Sequence, residues 1–218
     1  MPFDVVTRNL DILASGIILT IVISVVSIAA GLALGVVVAA SRLSRRPLPR
    51  LIATIYVEVI RNTPVLVQLF LLYFGLPELG VRLSAVEAAA IALSLNNGAY
   101  LGEIVRGGLQ SVPRGQIEAA AAIGLSQRTA FIEILLPLGL RGVVPAITNQ
   151  FILTILATSI ASVIGTPELT EQVLFVDSRA FRTIELLIFL TAAYAVMTLS
   201  VSAISSRVNR HLDRAFAR

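Results

Sequence analysis

The chain contains no cysteine and no lysine, a single histidine, and few charged residues of either sign. Without cysteine, disulfides and thiolate metal sites are excluded. His211 sits in a basic tail with no second ligand beside it, which fits a solvated histidine and not a metal centre. All 17 basic residues are arginine. Charged residues make up 14% of the 218 positions and hydrophobic ones 56%, with mean hydropathy +0.89. Soluble domains carry roughly 25% charge, so this is a membrane protein, and its length suits one domain of a few spans. The pI near 10.3 invites a nucleic-acid reading. Its arginines, however, cluster at the ends of apolar runs, as topology signals do, and no segment interleaves basic and aromatic residues. There is no glycine-rich phosphate loop of the Walker type and no nucleophile–base pair, so the chain is not expected to be an enzyme.

Five apolar runs predict an all-α integral membrane domain over residues 1–218, with spans at about 13–40, 51–74, 85–106, 141–164 and 184–204. The first is too long for a signal-peptide core and its flank has the wrong sign; Gly16, Gly31 and Gly35 offer it close helix contacts. The second is interrupted by Glu58, Arg61 and Pro64. Ser84 with Glu87 predicts a capping box opening the third. Thr166-Pro167-Glu168 predicts an N-cap with proline at the first helical position, opening a short helix to about Val176.

Between the third and fourth runs, residues 113–137 form a polar but helix-prone loop. Ala119 to Ala122 favour a helix with little bulk, Gly124 lets the chain leave it at an angle, and Pro137 marks a break before the next apolar run. The expected shape is a helix–turn–helix knob that sits in a groove. Arg42, Arg45, Arg46 and Arg50, then Arg114 and Arg128, then Arg207, Arg210, Arg214 and Arg218 occupy alternate segments. That bias puts the N-terminus outside and the knob and C-terminus in the cytoplasm.

In the knob, Glu118-Ala119-Ala120, then Gly124, then Ile134, Leu136 and Pro137 resemble the coupling loop of ATP-binding-cassette importer permeases. Arg61-Asn62-Thr63-Pro64 with Gln68, then Gly98-Ala99-Tyr100, Glu103 and Arg106-Gly107-Gly108, narrow the resemblance. They look like the polar amino-acid permeases of the histidine, glutamate, glutamine, arginine and opine type. The resemblance covers about Ser15 to Arg210. It implies the type I importer permease fold and a bacterial inner-membrane location. It also implies a cytoplasmic ATPase dimer that binds ATP and Mg, a second permease subunit that is identical or not, and an extracytoplasmic solute-binding protein. This chain would bind no cofactor itself.

Three polar clusters are candidates for the substrate path or gate. Glu58 and Arg61 share a helix face and can neutralise each other, while Asn62 and Thr63 can satisfy groups freed by Pro64, and Gln68 follows as a further path candidate. A span starting at Leu51 puts Arg61 near mid-membrane; an interfacial helix over 51–62 puts it at the cytoplasmic gate. Asn96, Tyr100 and Glu103 lie at i, i+4 and i+7 on one face, beside Asn97, and Glu103 can pair with Arg106. Gln150, Thr154, Thr158 and Ser162 recur every four residues, forming a stripe towards a pore or a partner helix. The amino-acid permeases usually carry a Leu-Lys-x-Thr-Ser-Leu segment here. This chain reads Leu156-Ala157-Thr158-Ser159-Ile160, with Ala157 expected at the lysine position; a non-identical second permease would then supply that lysine's role. Other readings of the pattern are an ATPase-independent secondary transporter or channel, a non-transporting scaffold, or an importer of an opine or ectoine-like zwitterion.

Overall fold

The computed structural model describes residues 4–216, with side chains to Arg210; His211, Arg214 and Arg218 fall outside the described side chains. Its elements are α1 (Asp4–Arg8), α2 (Leu10–Leu43), α3 (Pro47–Arg61), α4 (Val65–Phe70), α5 (Ala85–Gln110), α6 (Arg114–Ala122), α7 (Gln127–Ala130), α8 (Leu136–Ala157), α9 (Leu169–Ala180) and α10 (Thr183–Phe216). No strand occurs among the described residues. Three stretches are long and apolar enough to cross a bilayer: α2, the continuous rod 127–164, and α10. A fourth is counted if α3 and the segment 65–79 are one broken span. Helix α5, with 26 residues, reaches roughly 39 Å, the length of a span. Its asparagines dilute its apolarity, and it is the helix that α2, α3 and α8 pack around.

The α2–α5 crossing is close because both helices present glycines to it. A Cβ on Gly31 would run into the Asn97 side chain, and one on Gly102 would lie 2.6 Å from Val38 Cγ1. Gly35 meets the Gly102 backbone, and Gly98 meets Leu34 and the Tyr56 hydroxyl. In hydrocarbon, where apolar burial gives helices no reason to associate, such backbone approach is what holds them together. Gly16 makes the same kind of contact with Leu169 and Gln172 of α9.

Three expectations from the sequence change. The second apolar run is not one straight span, because α3 and the following segment meet at 105°. Helix α3 buries Ala53 and Val57 and turns Leu48, Leu51, Ile52, Ile55 and Val59 outward. Pro137 does not break the chain either. A π-helical turn at Phe131–Leu135 carries α7 into α8, and Pro137 sits in the first turn of α8. The wider turn already shifts the hydrogen-bond register, so a residue without an N–H is accommodated there. Finally, α9 starts two residues later and runs further than expected: Glu168, not Thr166, is its N-cap, accepting from the Glu171 N–H, and the helix continues to Ala180.

The end opposite the knob is fixed by that same Glu168, which is fully buried. Tyr194 of α10 donates to its Oε2 at 2.9 Å, and Thr20 of α2 donates to Oε2 at 3.5 Å. The Leu169 N–H in turn donates to Thr20 Oγ1 at 3.1 Å. One carboxylate thus ties α2, α9 and α10 together. Glu168 lies in the link between α8 and α9, outside the spanning helices, and burial pushes its carboxyl above the usual carboxylate range. The Ser84–Glu87 capping box forms as expected at the start of α5.

Candidate functional site

The break at Pro64 frees carbonyls at the end of α3, and the local sequence caps them. Asn62 Nδ2 donates to the Glu58 carbonyl at 2.8 Å and Thr63 Oγ1 to the Val59 carbonyl at 2.9 Å. Gln68, expected on the path, is directed back at the break: its Nε2 donates to the carbonyls of Ile60 at 2.8 Å and Thr63 at 3.1 Å. Its role is to hold the kink, which fits the need to satisfy every backbone group in hydrocarbon.

That kink forms one wall of a cavity of about 520 Å³, within the usual size of small-molecule sites of ~300–1,000 Å³. Arg61, Asn62, Thr63 and Pro64 line it from the break, Asn96, Asn97 and Tyr100 from α5, and Gln150, Thr154 and Ala157 from α8. Val65, Leu93 and Leu153 supply apolar wall. Within this lining, the Asn97 Oδ1 accepts from Gln150 Nε2 at 2.9 Å and from Thr154 Oγ1 at 2.7 Å. Asn97, almost fully buried and seated against Gly31, therefore sets the positions of two residues on the facing helix.

Glu58, Glu103 and Thr158 are not among the cavity's lining. Glu58 receives the Asn62 amide at 3.2 Å, while Arg61 reaches across to α5, so the expected local Glu58–Arg61 pair gives way to an interhelix cluster. The Arg61 guanidinium lies 5.1 Å from the Tyr100 ring centroid, and its Nη1 is 3.9 Å from Glu103 Oε2. Arg42 Nη1 approaches Glu103 Oε1 at 2.6 Å, and Arg106 holds both oxygens at 2.9 Å. Three arginines from α2, α3 and α5 converge on one carboxylate, and one of them, Arg61, also lines the cavity. Thr158 drops out of the four-residue stripe because the helix tightens to 3₁₀ over Thr158–Ile164. Its hydroxyl donates to the Ile155 carbonyl at 2.7 Å.

At the knob, α6 ends in a Schellman arrangement. Gly124 adopts φ +79°, its N–H donates to the Ala121 carbonyl at 3.0 Å, and the Leu125 N–H donates to Ala120 at 3.1 Å. Ser126 caps α7 by accepting from the Thr129 N–H at 3.1 Å. Ala120 is buried between the two helices, whereas Glu118 and Ala119 are exposed, beside exposed Ile117 and Ile123. Ile134, Leu136 and Pro137 lie half-buried where the knob joins α8. The surface is a small helical hairpin with exposed apolar side chains, flanked by Arg114, Glu118, Arg128 and Glu133.

Two functional residues are weakly signalled in the sequence. Asn97 looks like any polar residue beside Asn96 until Gly31 and Gln150 are placed against it. Arg42 looks like a topology charge until its guanidinium meets Glu103. The lysine position also needs correction: anchored on Thr158-Ser159, the Leu-Lys-x-Thr-Ser-Leu pattern puts its lysine at Leu156 and its variable residue at Ala157. Leu156 is exposed on the outer surface of α8, and Ala157 is the residue that lines the cavity.

Residues 31–218 match the family model described as "Binding-protein-dependent transport system inner membrane component". Among similar proteins, the L-cystine transport system permease protein TcyB of Bacillus subtilis is 37% identical over all of this chain and 94% of its own length. The glutamine transport system permease protein GlnP of Escherichia coli K12 is 35% identical over 97% of this chain and 99% of its own. A solved structure, an amino acid ABC transporter crystallised with histidines, superposes with TM-score 0.91 at 35% identity, over 97% of this chain and 99% of that one. The inward-facing MetNI methionine transporter shares the fold, with TM-score 0.73 at 22% identity over 94% of this chain and 98% of that one.

Proposed function

This chain belongs to the family of binding-protein-dependent transport system inner membrane components, and from that premise we propose that it imports polar amino acids as the permease subunit of an ATP-driven complex. The observation that carries the substrate class is the cavity at the Pro64 kink, whose polar lining of amides, hydroxyls and one guanidinium suits a zwitterion. The charges of such a solute cannot cross bare hydrocarbon, so the path must offer them partners.

In this reading the N-terminus lies outside and the C-terminus in the cytoplasm, and residues 1–218 act as one transmembrane domain. Glu118, Ala119 and Ala120, with the turn at Gly124, dock on a cytoplasmic ATPase dimer, which binds the ATP and Mg. A second permease subunit completes the pore, and an extracytoplasmic binding protein delivers the solute. Closure of the ATPases would draw the two knobs together, and the rod that begins at Gln127 would carry the movement to α8. Because α7 passes into α8 without a break, a tilt of the knob reaches Gln150 and Thr154 through one continuous element. The shift needs contacts that differ between the two states.

An ion-coupled secondary transporter would want a carboxylate in the path. Among the described lining residues there is none, and Glu103 is held by arginines. The test is uptake into proteoliposomes holding the chain and its co-purifying partners. Uptake that requires ATP and a loaded binding protein supports the reading. Uptake driven by an ion gradient without an ATPase would overturn it.

A further inference from the structure

Among the described residues that line the cavity, Arg61 is the only charged one. Its guanidinium is braced rather than free to swing away, with the Tyr100 ring on one side and Glu103 at 3.9 Å on another. Glu103 does not cancel it. That carboxylate is engaged more closely by Arg42 at 2.6 Å and by Arg106 at 2.9 Å, so three guanidiniums share one negative charge. Glu58 is occupied by the Asn62 amide and stands outside the lining. The charge that the lining presents is therefore positive, with no carboxylate among the described lining residues to offset it.

We propose that this cavity selects by charge: it accepts neutral and acidic amino acids, holding a carboxylate on Arg61, and it excludes cationic ones. A carboxylate gains a charge-assisted hydrogen bond from the guanidinium. The α-ammonium finds neutral amides and hydroxyls at Asn96, Gln150 and Thr154. The side chain of lysine or arginine would bring a second positive charge to a wall that offers it no anion. The inference rests on the importer reading and adds the class of solute its membrane site takes.

The binding protein must be kept out of the test, since it has a specificity of its own. Affinity is measured on the purified complex of this chain with its ATPase, without binding protein, by titration calorimetry with glutamine, glutamate, lysine and arginine as probes. Glutamine and glutamate are expected to bind about tenfold or more tightly than lysine or arginine. Arg61→Gln should weaken glutamate more than glutamine. Ala157→Asp, which adds an acid to the lining without touching the arginine cluster, should bring lysine and arginine to within reach of glutamine. Wild type binding lysine as tightly as glutamine overturns the proposal, and so does an unchanged order in Ala157→Asp. If none of the four binds while a loaded binding protein still stimulates ATP hydrolysis, this inference fails and the importer reading stands. If no loaded binding protein stimulates hydrolysis, the importer reading itself fails.

Discussion

Replacing Glu103 with glutamine removes one charge at the junction of α2, α3 and α5 while keeping the side-chain shape. In the native protein Glu103 receives Arg42 at 2.6 Å and Arg106 at 2.9 Å, and its side chain is 13% exposed. Breaking a buried ion pair costs about 3–5 kcal/mol, because the abandoned partner stays desolvated. The Arg106 side chain is 26% exposed, so solvent recovers part of that cost, and about 2–3 kcal/mol is expected. The glutamine also leaves three guanidiniums facing one another with no anion between them. The effect should be coupled: Arg42→Met in the Glu103→Gln background should cost about 1–2 kcal/mol less than in the wild type. Unfolding free energies from SDS titration of the purified complex in mixed micelles measure both quantities. A Glu103→Gln protein within about 0.5 kcal/mol of wild type would refute the idea that this carboxylate holds the three helices together.

Gly102→Ala places a Cβ 2.6 Å from Val38 Cγ1 and 3.2 Å from the Gly35 carbonyl oxygen. It should cost about 1–3 kcal/mol by overpacking, with partial rescue by Val38→Ala, read as thermal midpoints of the detergent-solubilised protein. Gln68→Leu uncovers the carbonyls of Ile60 and Thr63 at the kink; a loss of about 1–3 kcal/mol is expected, together with slowed uptake, and unchanged stability would count against the capping role. The Glu168 carboxyl is raised by burial, so the folded state holds that proton more tightly than the unfolded chain does. Its contribution is therefore greatest below the ordinary carboxylate range and is lost as pH rises towards the elevated value. Wild type should lose stability over that window relative to Glu168→Gln, and parallel pH profiles for the two proteins would contradict this.

The elements that local chemistry governs were readable from the residues. Ser84 and Glu87 make their capping box, Gly124 takes the left-handed backbone that ends α6, and Gly31 and Gly35 mark the face where α2 meets α5. The site is legible only in part. Asn96, Tyr100, Gln150 and Thr154 line one cavity, whereas Glu103, expected on the same face as Asn96 and Tyr100, lies outside its lining. Periodicity assumes an unchanging helix, so the tightening over Thr158–Ile164 removed Thr158 and Ser162 from the stripe, and the π turn before Leu136 absorbed a proline that otherwise signals a break. Ion pairing is not legible where the partner is remote in sequence. Arg61 has Glu58 one turn away, yet its ring and acid lie on α5, placed there by the 105° bend at Pro64. Arg42 and Glu103 are 61 residues apart, and only the glycine-lined approach of α2 to α5 joins them.

The central claim is that the exposed helical hairpin at 113–137 couples this domain to an ATPase, and a charge reversal at Glu118 tests it most directly. Glu118 is exposed on α6, outside the cavity and outside the arginine cluster, so Glu118→Lys should fold with wild-type thermal stability. In proteoliposomes containing the complex, wild type is expected to raise ATP hydrolysis when an amino-acid-loaded binding protein is added. Glu118→Lys should lose that stimulation and the accompanying uptake. A Glu118→Lys complex that is stimulated and transports as well as wild type would contradict the assignment of the hairpin as the coupling element.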